Sequence, residues 1–336
     1  MKRITVILAG LVIAVAASAQ MLPDSTVQIV ASWQIGDKYS YSCERSSKEV
    51  NAQGDTVFRE HSTEIMTFEV IGMTEESYQI KLSYDDAEYS NELNQTMHDL
   101  IKNLGHNEPV LFSTTRHGAL MSIDNLDRLV EEYASCVGPL CELLVSKLSQ
   151  EELEGFDLNG FTQQVATSLA NPNSIQTTIL DDIGRLFFFH GARLNPGDTY
   201  TMEEPLNFVW PDMEQQKAQT NLWAEKELTD AYSTVCRTYT SANIGETVKS
   251  AVSDRLDSIH DHMEVSDSLR NALGLEMEQT SMKAKWEQYT SEEIHLNTGW
   301  PLSFYQDKYV YIEVGDEIQE KIDEYYMEII LPDENE

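Results

Sequence analysis

The stretch IGDKYSYS at residues 35–42 returns in altered form as NPGDTYTM at residues 195–202. In both stretches Gly-Asp is followed, after one residue, by a tyrosine that opens an alternating, strand-like run. Gly and Asp favour tight turns, because Gly tolerates positive φ and the Asp side chain bonds to nearby backbone. The repeated pattern therefore predicts a turn and the first strand of a β-rich unit, written twice in one chain.

The residues after each of these turns predict the same order of elements. In the first half, SYQIKLSY at 77–84 alternates apolar and polar residues strictly, as a strand with one buried face does. Each half is expected to contain three strands, a helix and a hairpin. The helices are predicted at 91–104 and 243–263, the hairpin turns at 117–118 and near 297–299, and a closing strand at 325–331.

These elements predict an α+β fold, in which antiparallel β-sheets pack against helices as two diverged copies of a strand–strand–strand–helix–hairpin unit. The helices have apolar stripes of the width needed to cover the apolar face of each sheet. The predicted organisation is a signal peptide at 1–19, a first β-rich unit at 20–125, a helical middle segment at 126–192 and a second β-rich unit at 193–336.

The N-terminus has the three regions of a secretory signal. MKR is basic, ITVILAGLVIAVAA at 4–17 is an unbroken apolar run, and ASA at 17–19 supplies the small residues of a cleavage site. The apolar run is shorter than the ~20 residues that a membrane anchor needs. We therefore expect cleavage after Ala19, export to the periplasm or the cell surface, and no transmembrane segment in the mature chain.

The composition is strongly acidic. The chain of 336 residues has 23 Lys and Arg against 57 Asp and Glu, a formal net charge of −34. Without Lys2 and Arg3 of the signal, 21 basic residues remain against 57 acidic ones, which is a net charge of −36. Such a surface repels phosphate backbones, so nucleic acid is not expected as a partner. The apolar content of 41% is sufficient for a packed core.

The four cysteines indicate disulfides, because their number is even and the chain is predicted to be exported. Cys136 and Cys141 flank VGPL, where Gly and Pro are expected to break a helix and bring the two thiols together. Cys43 and Cys236 occupy comparable strand-like runs in the two halves. At least one bridge is predicted, with Cys136–Cys141 the first choice and Cys43–Cys236 the second. Their spacing matches no zinc motif.

No catalytic, cofactor-binding or metal-ligating residue is predicted. The best candidates are His260 and His262 in DSIHDHME, but their context is helical. On a helix two residues at this spacing lie about 200° apart, so they cannot share one metal ion. The chain also has no nucleophile elbow, P-loop, dinucleotide-binding turn or HExxH helix.

The aromatic residues have two interpretations. They lie mostly in predicted strands and turns, where sheet-core packing explains them. The alternative is a concave, aromatic-lined sheet face that holds an apolar or sugar ligand. The residues concerned are fifteen tyrosines and Trp33, Trp210, Trp223, Trp286 and Trp300.

The chain resembles uncharacterised secreted or periplasmic proteins of Bacteroidetes-type bacteria. The resemblance rests on ASAQ at the cleavage position, GDKYSY at 36–41, EVIGMTEESYQIKLSY at 69–84 and FSTTRHGALMSIDNLDRLVEE at 112–132. It implies no particular activity. A more distant similarity, at the level of fold alone, is to the half-barrel of lipoprotein carriers, a curved antiparallel sheet closed by helices.

Three functional hypotheses follow. The first is a non-enzymatic envelope protein that binds a small apolar ligand between sheet and helices. The second is a structural or partner-binding surface protein that has a filled core and no ligand. The third and least supported is a hydrolase whose catalytic residues are dispersed along the chain. A cavity between sheet and helices would separate the first hypothesis from the second.

Overall fold

The computed structural model describes residues 20–22, 24–105, 108–148, 157–206, 216–250, 282–315 and 317–331. The predicted signal peptide at 1–19 lies outside the described residues, as do His260, His262, Trp210 and the second half of the predicted helix at 243–263. Within the described ranges, no helix has the length and apolar character needed to cross a membrane.

Strands dominate the described part of the chain. Three short strands, β1 (Gln20–Met21), β2 (Val27–Gln28) and β8 (Arg193–Leu194), form a small antiparallel sheet. The first half also contains β3 (Lys38–Asn51), β4 (Thr56–Met73), β5 (Ser77–Tyr89), β6 (Val110–Thr115) and β7 (Leu120–Ile123). The second half contains β9 (Thr199–Leu206), β10 (Gln216–Ala224), β11 (Ser233–Asn243), β12 (Met282–His295), β13 (Pro301–Val314) and β14 (Glu317–Ile329).

The helices with described bounds are α1 (Glu92–Asn103), α2 (Leu126–Ser146), α3 (Leu158–Leu169) and α4 (Pro172–Leu186), and residues 245–250 are helical as well. Polar side chains cap three of their N-termini. Asn91 accepts hydrogen bonds from the first turn of α1, Asp157 from that of α3, and Asn171 from that of α4. Such caps satisfy backbone N–H groups that have no partner inside the helix.

The predicted α+β fold class is wrong. About half of the described residues lie in strands and about a quarter in helices. Eleven of the strands form a single antiparallel sheet in the order β7-β6-β5-β4-β3-β14-β13-β12-β11-β10-β9. The physical reason is the pairing of β14, which bonds to β13 on one side and to β3 on the other. One strand thereby joins both halves of the chain into one sheet.

The local elements of each half are nevertheless found in the predicted order. Gly36 and Gly197 both have positive φ, and the N–H of each donates to a carbonyl at the end of a neighbouring strand. Gly36 pairs with Val70 and Gly197 with Ala224, so the two Gly-Asp turns start β3 and β9 in equivalent ways. The repeated motif is therefore a structural turn.

The helices cover one face of the sheet, which we call the inner face. Residues of α2 and α4, such as Leu129 and Ile183, share one core cluster with inward residues of β3 to β6, such as Met66 and Phe112. Because cross-strand partners point to the same face, the inner face can be followed across the sheet from strand to strand. The opposite face is called the outer face.

The segment at 29–33 crosses between the two hairpin turns of the sheet. The N–H of Ala31 donates to His117 O at 3.1 Å, and that of Ser32 donates to Thr298 O at 3.0 Å. Gly118 and Gly299 stand in these turns with positive φ. A Cβ on Gly299 would overlap the carbonyl oxygen of Val30. Only glycine therefore allows the turn at 295–300 to approach this closely.

Candidate functional site

A cleft lies between α4, the residues that follow it, and the inner face of β9 to β13. We call it the inner cleft, and its volume is about 240 Å³. The helical side contributes Leu180, Gly184, Arg185, Phe188 and Phe189. The sheet side contributes Glu204, Thr220, Thr238, Thr240, Gln288, Thr290, Phe304, Gln306 and Lys308. The cleft is thus in the place predicted for a ligand, but its walls are only partly apolar.

Four buried threonines form the floor of the inner cleft. Thr220 and Thr240 lie opposite each other on β10 and β11, with their hydroxyl oxygens 2.9 Å apart. Thr238 and Thr290 lie opposite each other on β11 and β12, with their hydroxyl oxygens 2.6 Å apart. A threonine suits a strand because it is β-branched, and the paired hydroxyls satisfy each other. Each pair still has acceptor capacity to offer to a ligand.

Gln306 is the most informative residue of the cleft. It lines the cleft from β13, opposite Thr290, and is only 2% exposed. Its amide Nε2 has no hydrogen-bond partner within the described part of the chain. A buried donor without a partner costs about 1–3 kcal/mol, so such groups are usually satisfied by water or by a ligand. The amide is therefore available to a molecule that occupies the cleft.

The mouth of the cleft combines an aromatic ring with charged side chains. Phe188 is 46% exposed and lines the cleft from the helical side. Glu204 accepts a hydrogen bond from the hydroxyl of Thr220, which in turn accepts one from the hydroxyl of Thr240. A bound molecule would meet an apolar ring on the helical side and hydroxyl, amide and carboxylate groups on the sheet side.

Glu292 lies behind the wall of the cleft, on the same strand as Thr290. It is completely buried, and neither of its carboxyl oxygens has a hydrogen-bond partner among the described residues. Its cross-strand neighbours are Cys236 and Phe304. Burial raises the pKa of the Glu292 carboxyl well above its usual value, which favours its neutral form. It does not line the cleft itself.

Neither predicted disulfide is present, and all four cysteines are free. Cys136 and Cys141 both lie in α2, which continues through Pro139 without the predicted break. Two residues that are five positions apart on a helix direct their side chains about 140° apart. Cys43 and Cys236 lie on β3 and β11, which are four strand spacings apart, or about 19 Å along the sheet.

His190 is a buried core histidine. Its Nε2 lies 2.6 Å from the carbonyl oxygen of Gly299, and burial lowers the pKa of the imidazole to about 4. The neutral ring has no charge with which to interact with the dipole of a helix end, and α4 already ends at Leu186. The sheet-core interpretation holds for Trp33 and Trp300, whose rings stack with centroids 4.6 Å apart.

The sequence contained one signal for Glu292 that we did not recognise. Along β12, Glu292 shares its face with Ile294, and the next inward residue, Leu296, is also fully buried. A carboxylate at a strand position whose neighbours on the same face are apolar indicates a buried acid. No group of three or more metal-binding side chains occurs within the described ranges.

No protein-family model matches the chain, and no curated protein matches it. Among solved structures, the chain is similar to lipovitellin, in a structure concerned with lipid–protein interactions, with 12% identity and a TM-score of 0.35. The alignment covers 90% of this chain and 26% of that one, so the chain spans about a quarter of lipovitellin.

Two further matches are outer membrane proteins. An outer membrane channel from Pseudomonas putida F1 has 6% identity and a TM-score of 0.19, with coverage of 90% of this chain and 98% of that one. A loop-deletion mutant of OmpT from Vibrio cholerae has 10% identity and a TM-score of 0.20, with coverage of 88% and 100%. All three TM-scores are below 0.5, so these likenesses carry no argument about function.

Proposed function

We propose that the protein is an exported, non-enzymatic binding protein of the cell envelope that holds a small amphipathic ligand in the inner cleft. The observation that carries the proposal is the amide of Gln306, which has no hydrogen-bond partner among the described residues and is buried in a cleft whose floor is made of threonine hydroxyls. Export rests on the N-terminal signal sequence at 1–19.

The lining of the cleft favours an amphipathic ligand over the wholly apolar ligand of our first hypothesis. An apolar molecule would cover the Gln306 amide without giving it a partner, which costs binding free energy. A ligand with a hydroxyl or carbonyl group can accept from this amide and bond to the threonines. Its apolar part would then pack against Phe188 and Leu180. The volume of about 240 Å³ limits the ligand to a small molecule.

The test uses the mature chain and three probes, with calorimetry as the readout. Hexyl glucoside has both a polar and an apolar part, whereas glucose and hexanol each supply only one of them. We expect the strongest binding for hexyl glucoside. Gln306→Leu should weaken it at least about tenfold, since a hydrogen bond to a buried amide is worth roughly 1.5 kcal/mol.

The matched control is Gln219→Leu, because Gln219 is an exposed glutamine on the outer side of β10. This variant should bind like the unchanged protein. Native mass spectrometry of protein purified from its own cells would look for a retained ligand. If no probe binds and no ligand is retained, the second hypothesis, a structural or partner-binding protein, replaces this one.

A further inference from the structure

The outer face of β11 to β14 carries six tyrosines on one surface, which we call the tyrosine face. Tyr239 lies opposite Tyr289, Tyr289 opposite Asp307, and Tyr305 opposite Tyr326, so these residues point to the same side. Tyr309 and Tyr311 follow at the same phase of β13. All six are at least partly exposed, and no described helix packs on this side.

The tyrosine hydroxyls are bonded to carboxylates beside them. Tyr311 donates to Glu313 at 2.6 Å, and Tyr326 donates to Glu328 at 3.0 Å. Tyr239 donates to Glu287, and Tyr305 to Glu324 at 3.5 Å. These bonds fix the tyrosine hydroxyls beside carboxylates and surround the rings with negative charge. An aromatic face combined with a carboxylate is an arrangement that attracts cations.

Two carboxylates lie side by side at the centre of this face. Asp307 and Glu324 are direct cross-strand neighbours, and like charges in such positions repel each other. Neither has an ion-pair partner within the described residues, and Oδ1 of Asp307 is buried without a hydrogen bond there. Burial and the proximity of Glu324 raise the pKa of Asp307, while Lys48 acts in the opposite direction.

The basic residues of the same face are engaged elsewhere. Lys283 pairs with Glu313, Lys285 with Glu287, and Arg237 with Glu225. Arg237 also donates to the hydroxyl of Tyr289 at 2.6 Å. The carboxylates of Asp307 and Glu324, framed by Tyr289, Tyr305 and Tyr309, therefore form no ion pair with a described residue, although the charge of Lys48 on the neighbouring strand β3 acts on Asp307.

We infer that the tyrosine face docks a basic, extended segment of a partner protein, with an arginine seated between Asp307 and Glu324. A guanidinium group can donate to both carboxylates and stack on the neighbouring rings, which a compact ammonium group does less well. The charge of the chain, −34 in total, also attracts a cationic partner over a distance. An open depression lined by Trp223 and Tyr239 continues the face and offers room for further side chains.

The experiment measures binding of a labelled peptide of about 12 residues with arginine at alternate positions, which matches the two-residue repeat of an extended chain. Fluorescence anisotropy at about 0.15 M salt suppresses weak, non-specific attraction. Asp307→Asn with Glu324→Gln should weaken binding at least about tenfold, because two charge-assisted hydrogen bonds are lost. Tyr309→Ser, which leaves the charge unchanged, should weaken it about threefold.

The matched control is Glu75→Gln with Glu76→Gln, which removes the same charge from an exposed turn between β4 and β5. This variant should bind within about twofold of the unchanged protein. Thermal unfolding of each variant establishes that it is folded. Equal weakening in both double variants would show attraction by net charge alone and would overturn the inference. Binding of cellohexaose, a neutral glycan, in place of the peptide would overturn it as well.

Discussion

Replacing Glu292 by Gln should change how the stability of the protein depends on pH. In the folded protein the carboxyl is completely buried, without a partner within the described residues, and its pKa is raised well above the usual value of 4.5. In the unfolded chain water surrounds the same group and its pKa is ordinary. Above about pH 4.5 the unfolded chain therefore releases a proton that the folded protein keeps.

The magnitude follows from this difference in bound protons. Each pH unit between the unfolded and the folded pKa of Glu292 lowers the free energy of unfolding by about 1.4 kcal/mol. The contribution is most favourable below the unfolded pKa and is lost as the pH rises toward the folded pKa. Glutamine has nearly the same shape and does not titrate, so the Glu292→Gln variant lacks this pH-dependent contribution to the free energy of unfolding. The two proteins should differ little at about pH 5, and above it the variant should gain about 1.4 kcal/mol for each pH unit until the folded pKa of Glu292 is reached.

Urea unfolding at several pH values from about 5 to 8 measures the free energy of unfolding for both proteins. Taking the difference between them removes the pH dependence that the other 56 acidic residues contribute to both. The matched control is Glu293→Gln, on the adjacent residue, which faces the outer side and accepts a hydrogen bond from Ser233. The difference in free energy of unfolding between the unchanged protein and Glu292→Gln should change with pH. If it stays constant over this range, the raised pKa of Glu292 is refuted.

Two further predictions concern the turn at Gly299 and the cysteines. Gly299→Ala should lower the free energy of unfolding by more than about 2 kcal/mol, because its φ of +73° is strained for alanine and its Cβ would overlap Val30. The control is Gly54→Ala, where φ is also positive but the added Cβ meets open space, so the loss in free energy of unfolding should be smaller. Thiol titration without reductant should find four reactive thiols in the unfolded protein and only slow reaction in the folded protein. The reason is that all four cysteines are free and buried, and burial raises the pKa of Cys43 to about 12. Two thiols or fewer after unfolding would contradict the free state of the cysteines.

The sequence by itself determined the local elements of this protein. The Gly-Asp turns before β3 and β9 and the hairpin turn at Gly118 were predicted where they are found. The strand that contains Tyr78, Ile80 and Leu82 was predicted as well. Turns and alternating strands depend on interactions between residues close in the chain, so a short stretch contains the information that specifies them. The continuous helix through Pro139 is the exception, because packing of Leu129 and Leu140 outweighs the local preference.

Only the tertiary structure decided how these elements combine. The alternating pattern of β14 shows that it is a strand, but not that it pairs with both β3 and β13 and so makes one sheet from two halves. The inner cleft could not be predicted from the sequence for the same reason. Thr238 and Gln306 are polar residues, and their place in the alternating pattern of their strands resembles that of residues on a solvent-facing side. Their burial comes from α4, which lies more than 50 positions away from Thr238 in the chain. A residue's environment depends on which distant surface covers it, and periodicity along the chain cannot encode that partner.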